Sequence, residues 1–494
     1  MTKPLKMLAF DFGASSGRAI LGCFENGKLI TEEIHRFSND PVEIRGTLYW
    51  DILRLFHEIK QGILKCGNSR HQDIASVGID TWGVDFGLLD KNGDLLGNPY
   101  HYRDSRTDGI MEEVFKIIPE EELYNRTGIQ FMKLNTIFQL YSMKHHNSPL
   151  LREAKTLLLT PDLLNYFLTG KMTSEYSIAS TTQMLDPHTG KWTYDVLERL
   201  DLPKDILTEI VPSGTVIGSV SDQIAKELGL EEVAVIATAG HDTQSAIVSV
   251  PADPGDFVYI SCGTWSLMGV ELDKPIINEK SDKLAFTNEG GVESKTTYLK
   301  NIMGLWLVQE CKRQWARDSK NLSYAQLEVL AGEAESFKSF INPDDESFIA
   351  PGDMPGRIRE YCKRTNQPVP QTEGEIIKCI YQSLALKYRA TVEDLEEILS
   401  KKLEVIHMVG GGIKDKMLCQ FTANATARKV IAGPVEATAI GNLMVQAMAL
   451  GKVSTLQEAR QVVKKSFPTS DYEAQDIEVW NTAYHRYRDV ITKY

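Results

Sequence analysis

The chain has 494 residues, more than one hydrophobic core usually supports, so two domains of about 250 residues, or three smaller ones, are expected. Its hydrophobic content of 42% and charged content of 24% are those of a packed globular protein, and its net charge of −13 argues against a nucleic-acid partner, which needs a basic face. Seven scattered cysteines without a C-x-x-C pair argue against a zinc site or a disulfide framework, and no run approaches the ~18 uncharged apolar residues of a membrane span.

AFDFG (9–13), RAILGCF (18–24) and KLITEEIHRF (28–37) read as strands joined by the turns ASSG and ENGK. The apolar run before Asp11 is too short for a signal segment, so the cytoplasm is the expected location. LYWDILRLFHEIKQGILKC (48–66) is amphipathic at helical spacing, with Trp50, Ile52, Leu53, Leu55, Phe56, Ile59 and Ile63 near one stripe. IASVGIDTWGVDFGLL (74–89) reads as one strand, residues 150–170 as a strand followed by a helix, and VAVIATAG (233–240) as a strand ending in small residues.

PADPGD (251–256) marks a boundary. Beyond it FVYISCGTWSLMGV (257–270) repeats the opening order of strand, small polar residues and strand, with Gly263 placed 250 residues after Gly13. An internal duplication is expected. KNIMGLWLVQECKRQW (300–315) reads as helical, residues 341–375 as a long ordered connection, 375–399 as a helix, and LEVIHMVGGGIKDKML (403–418) as a strand meeting three glycines. Cys362 and Cys379 are close enough in sequence to meet, but reduced buried thiols are expected for all seven.

Four segments carry candidate chemistry. In GASSG (13–17), successive backbone N–H groups would form an anion-binding nest and Ser15 and Ser16 add hydroxyl donors, while Asp11 before it could hold Mg²⁺ through water. Read alone, the segment is equally an ordinary hairpin turn. In AGHDT (239–243), Asp242 can accept a hydroxyl proton or simply cap the following helix. VGGGIKDK (409–416) allows close approach of a nucleotide, or is a bare glycine turn. Trp82 beside Gly83 offers a ring face to a sugar, and Arg103, Asp104 and Arg106 offer donors and acceptors, or structural salt bridges.

Together DFGASSGR, AGHDT, ISCGTWSL and MVGGG, in this order and spacing, resemble the FGGY family of carbohydrate kinases from Asp11 to about Gly451. The resemblance implies an α/β fold of two ribonuclease-H-like domains of the actin-like ATPase superfamily, each a mixed five-stranded sheet flanked by helices. Residues 1–250 would bind the sugar and carry the first phosphate hairpin. Residues 251–494 would carry the second hairpin and the adenosine site, with ATP in the interdomain cleft. It further implies that Ala14, Ser15, Ser16, Gly17 and Arg18 line the ATP phosphates and that Asp11 lies near Mg²⁺. Thr264, Gln309 and Gly411 would contact ATP. Trp82, Gly83, His241, Asp242, Thr243 and Asn301 would contact a ketose, with Asp242 as proton acceptor. The rival readings are a kinase for another ketose such as L-fuculose and a non-catalytic sugar sensor on the same fold. Nothing in the sequence selects between monomer and dimer.

Overall fold

The structure is a computed structural model that describes residues 3–68 and 73–493. The chain forms two compact units. The first gathers Met1–Pro254, Glu271–Leu299 and Ala437–Ser466, and the second Gly255–Val270, Lys300–Glu436 and Phe467–Tyr494. The first crossing falls inside the PADPGD segment. Two later returns to the first unit depart from a single cut after residue 250, because linker composition marks a crossing but not a return.

The first unit is built on a mixed sheet of strands β1 (Leu5–Phe12), β2 (Ser16–Glu25), β3 (Lys28–Ser38), β4 (Ser76–Thr81), β5 (Thr215–Ser219) and β6 (Ala234–Ala237), in the order β5-β6-β4-β1-β2-β3. β1 runs parallel to β4 and antiparallel to β2, so Asp11 is registered against both Asp80 and Arg18. β1 is buried from Met7 to Phe12, as a central strand covered on both faces must be. Helix α1 (Ile52–Asn68) covers one face, where a Cβ on Gly62 would come within 2.6 Å of the Phe10 ring. Leu53 departs from the expected stripe and is 61% exposed.

Two helices cover the other region of this sheet: α2 (Asp242–Val248) and α3 (Ala437–Ala449). They approach so closely that a Cβ on Gly441 would lie 1.7 Å from the Ser245 carbonyl oxygen. A hairpin from the later sequence, Thr287–Gly290 with Thr296–Met303, pairs antiparallel between Gly290 and Thr296.

The segment 74–89 is two strands rather than one. Ser76–Thr81 stays in the main sheet, and Phe86–Leu89 pairs with Thr156–Leu159 in a separate ladder. Between them Val84 adopts φ +67°, a conformation that a β-branched side chain resists. Apolar residues continue through Trp82, Val84 and Phe86, which hid this reversal.

In the second unit, strands β7 (Val258–Cys262), β8 (Trp265–Leu272), β9 (Val405–Val409), β10 (Lys429–Ala432) and β11 (Ser470–Tyr472) lie in the order β8-β7-β9-β10-β11. Their pairings run antiparallel, parallel, parallel, antiparallel. The same sequence of pairings describes β2-β1-β4-β6-β5 in the first unit. The expected duplication is therefore a five-strand core in each unit.

Two local readings change. Lys300–Met303 completes a strand, and the helix begins only at Trp306 and runs to Arg317, because Gly304 lies too close to the Ser266 backbone to carry a Cβ. The 341–375 connection contains a helix, Met354–Arg364, capped by the Asp353 side chain with Pro355 in its first turn. None of the seven cysteines is in a disulfide, and all but Cys23 are buried.

Candidate active site

In the first unit the β1–β2 turn is stiffly held. The Gly13 N–H donates to the Ser16 carbonyl at 3.0 Å, and the Asn39 side-chain amide donates to the Gly13 carbonyl at 2.8 Å. Ser15 is exposed, Ala14, Ser16 and Arg18 are half-buried, and Gly17 is pressed against the Phe37 ring. Ala14 to Ser16 thus face outward at the end of a rigid hairpin, and the Arg18 guanidinium donates to the Asp11 carboxylate.

Asp11 is buried beside Asp80, its lateral neighbour on β4. Asp80 is fully buried and accepts from the Asn442 amide at 2.6 Å, while its Oδ1 has no hydrogen-bond partner. Burial and the Asp11 charge together push the Asp80 carboxyl well above the ordinary carboxylate range. Asn442 is tied in turn to Gln446, which accepts from the Ser76 hydroxyl. Two residues of α3 gain a role from this: Gly441 permits the close helix approach and Asn442 reaches Asp80. Neither was legible in the sequence, because Asn442 meets Asp80 across 362 residues of chain.

At the start of α2, His241 is the N-cap and Asp242 the first helical residue, so the alternative reading of Asp242 as the cap does not hold. His241 is registered beside Thr81, whose N–H donates to the Gly240 carbonyl at 2.9 Å, so the end of β4 fixes where α2 begins. The Asp242 side chain is 30% exposed. Burial of its remainder pushes it up to about 6, against the pull of His241 and with a further push from Asp11. Thr243 Oγ1 donates to Asp242 Oδ1 at 3.3 Å.

The Trp82–Asp85 reversal lies immediately after β4. The Val84 N–H donates to Thr181 Oγ1 at 3.1 Å, and its carbonyl accepts from Thr136 Oγ1 at 2.6 Å. Asp85 is the anchor: it accepts from Trp50 Nε1 at 2.5 Å, Trp82 Nε1 at 2.9 Å and Gln139 Nε2 at 2.9 Å. Burial raises its carboxyl to about 6 despite those donors. Trp82 is only 6% exposed, with the Trp50 ring centroid 4.0 Å away. So little of it is exposed that the open ring face expected is not presented. Asp104 and Arg106 are engaged within the protein: Asp104 accepts from the Leu48 and Arg106 N–H groups, and Arg106 donates to both oxygens of Gln139. The Arg103 guanidinium lies 5.2 Å from the Tyr102 ring centroid.

In the second unit the Gly263 N–H donates to the Trp265 carbonyl at 2.9 Å, a counterpart of the Gly13 bond. The Thr264 carbonyl accepts from the Gly304 and Trp306 N–H groups, seating the Trp306–Arg317 helix on the hairpin. Thr264 Oγ1 then donates to Gln309 Oε1 at 3.3 Å. The glycine turn after β9 presses on the same hairpin, since a Cβ on Gly412 would come 2.4 Å from Cys262 Sγ, whereas Gly411 faces open space. Thr264, Gln309 and Gly411 therefore gather around one hairpin, and Asn301 lies on the strand leading into the Gln309 helix.

Among the described residues no group of three or more His, Cys, Asp and Glu side chains is arranged to hold a metal ion directly. None of the helices there is long and apolar enough to cross a membrane.

Two sheets of one topology, each opening on a tight hairpin, give the fold of the actin-like ATPases. Solved sugar kinases share it: gluconate kinase from Lactobacillus acidophilus superposes with a TM-score of 0.82 over 99% of this chain and 98% of that one at 16% identity. Plasmodium falciparum glycerol kinase with ADP gives 0.78 over 99% and 98% at 13% identity. Residues 6–249 match the N-terminal domain, and residues 258–450 the C-terminal domain, of the FGGY family of carbohydrate kinases. The chain belongs to that family and is an ATP-dependent carbohydrate kinase. It is 46% identical to the rhamnulokinase of Bacteroides thetaiotaomicron over 98% of this chain and 99% of the relative. It is 46% identical to that of Oceanobacillus iheyensis over 94% and 97%.

Proposed function

We propose that the chain is a rhamnulokinase of L-rhamnose breakdown, transferring the γ-phosphoryl of ATP to the 1-hydroxyl of L-rhamnulose to give L-rhamnulose 1-phosphate and ADP. The observation that carries this reading is the 46% identity to rhamnulokinases across nearly the whole chain. Asp242 takes the proton of the 1-hydroxyl as that oxygen bonds to phosphorus and the bond to the leaving ADP oxygen breaks. Phosphoryl transfer through a loose transition state asks its base chiefly to orient the hydroxyl and to be ionised. A carboxylate held at about 6 is largely ionised at neutral pH and is a better base than a free one.

Trp82, Gly83, His241, Thr243 and Asn301 are assigned to the ketose. Ala14, Ser15, Ser16, Gly17 and Arg18 are assigned to the phosphates, and Thr264, Gln309 and Gly411 to the rest of the nucleotide. The buried Asp11–Asp80 pair, with one Asp80 oxygen unsatisfied, fits a cation held nearby through water. Mg²⁺ there would neutralise phosphate charge, with Asp11 as its nearest protein group.

The test is ATP consumption with Mg²⁺ in the presence of L-rhamnulose, L-fuculose, L-ribulose, L-xylulose, D-fructose or glycerol. Preference for L-rhamnulose with phosphate on C1 is expected. Equal turnover on several ketoses would reject the narrow substrate, and no stimulation by L-rhamnulose would reject the proposal.

A further inference from the structure

The AGHDT segment leaves one buried group unexplained: what His241 itself is held by. Its Nε2 lies 3.5 Å from Asp242 Oδ1, and its Nδ1 lies 3.0 Å from Glu289 Oε2. Glu289 comes from the Thr287–Gly290 strand, far from AGHDT in sequence but in the same compact unit. Both side chains are almost fully buried, with 9% of His241 and 6% of Glu289 exposed. The Nδ1 contact has the distance of a hydrogen bond without its alignment, so it is an ion pair in this geometry.

Glu289 is itself fixed from two sides. Gln244 Nε2, one turn along α2 from His241, donates to the same Oε2 at 3.0 Å. The Thr297 hydroxyl donates to Gln244 Oε1 at 3.0 Å and to the Glu289 carbonyl at 3.1 Å. The strand is anchored below by the Gly290 N–H, which donates to Ser180 Oγ at 2.8 Å. A buried carboxylate clamped in this way, with an imidazole between it and the acceptor carboxylate, is more than a salt bridge that happens to be near the site.

We propose that Glu289 is a positioning residue of the phosphoryl-transfer site: with Gln244 it fixes the His241 ring so that Nδ1 is protonated and the Nε2 edge faces Asp242 and the acceptor hydroxyl. This rests on the reading of Asp242 as proton acceptor. The charged groups facing His241 are Glu289 on the strand, Asp242 on α2 and Glu175, the cap of the Tyr176–Ser180 helix. Burial, the largest single influence, would lower the imidazole, but Glu289, Asp242 and Glu175 together outweigh it, and the net shift is upward. The imidazolium beside the Asp242 carboxylate therefore persists to higher pH than a free histidine. As pH rises through the His241 titration, the imidazolium is lost and the ketose contact weakens. Glu289 thereby sets the alkaline limb of the rate profile while touching no reactant.

The experiment compares Glu289→Gln with the parent enzyme in full pH profiles of kcat/KM for L-rhamnulose, with the KM for ATP measured alongside. The variant is expected to lose on the order of tenfold in kcat/KM for the ketose, less than the ~10²–10⁴ supplied by a direct proton acceptor. Its KM for ATP should stay unchanged. Its alkaline limb should move down by about 1 pH unit or more, the lower end of the ~1–3 that an opposite charge at close range supplies. In a His241→Asn background, Glu289→Gln should add nothing further. A profile that superimposes on the parent's, or losses that simply add in the double variant, would overturn the assignment. If Glu289→Gln fails to fold, Thr297→Val, which removes only the hydroxyl holding Gln244 and the Glu289 carbonyl, must move the same limb the same way by less; an unmoved limb overturns it too. A parent enzyme inert on every ketose would instead sink the underlying reading.

Discussion

At the scale of single residues, the site is a group of carboxylates whose environments separate their roles. Asp80 is sealed and bonded to Asn442, Asp85 is spent on two indole N–H groups and Gln139, and Asp242 alone keeps 30% of its side chain open. Of these three carboxylates, Asp242 is the one left open to a ligand, as the acceptor role proposed for it requires. Because a proton acceptor must be ionised and burial lifts Asp242 to about 6, the rate should fall as pH drops through about 6, on the acid side of the limb assigned to His241. Measuring kcat between pH 5 and 8 checks this; a flat profile would mean that the acceptor is another group. Sequence reading reached Asp242 because a small-residue strand end delivers it. It missed Asp80, Asn442 and Glu289, whose partners are brought together only by the sheet and the helices behind it.

At the scale of elements, position is set by close approaches that only glycine allows. α3 lies so near α2 that Gly441 has no room for a side chain, and α2 carries His241 and Asp242 at its start. Gly441→Ala must push backbone against backbone. A loss of about 1–3 kcal/mol in stability is expected, the range for forced overpacking, together with a lower kcat because the start of α2 shifts. Chemical denaturation and steady-state kinetics on the same preparation check both, and an unchanged denaturation midpoint would contradict the packing argument. The strands were legible where a strand is a continuous apolar run bounded by glycine, as at β1 and β7. The reading failed at Trp82–Asp85, where the chain reverses without losing hydrophobicity, and at Lys300–Met303, where helical spacing continues through a strand. Periodicity reports which face is buried, not where the backbone turns.

At the scale of the whole molecule, two units repeat one five-strand topology, and the duplication was visible in the sequence as two hairpins 250 residues apart. The return of Glu271–Leu299 and Ala437–Ser466 to the first unit was not, since contacts between distant segments leave no local mark. A net charge of −13 opposes binding of polyphosphate, and the role proposed for the hairpins relies on local backbone amides and hydroxyls to offset it. Nucleotide with Mg²⁺ should then raise the melting temperature, since a ligand at 100 times its Kd adds about 2.7 kcal/mol by mass action. No shift at saturating ATP would count against those hairpins as its site. The most direct test of the account is the rate of phosphoryl transfer from ATP to L-rhamnulose by Asp242→Asn, with binding of both ligands measured on the same protein. The account predicts that both ligands still bind and that turnover falls by ~10²–10⁴, the share a positioned proton acceptor supplies. A variant that turns over at the parental rate would contradict it.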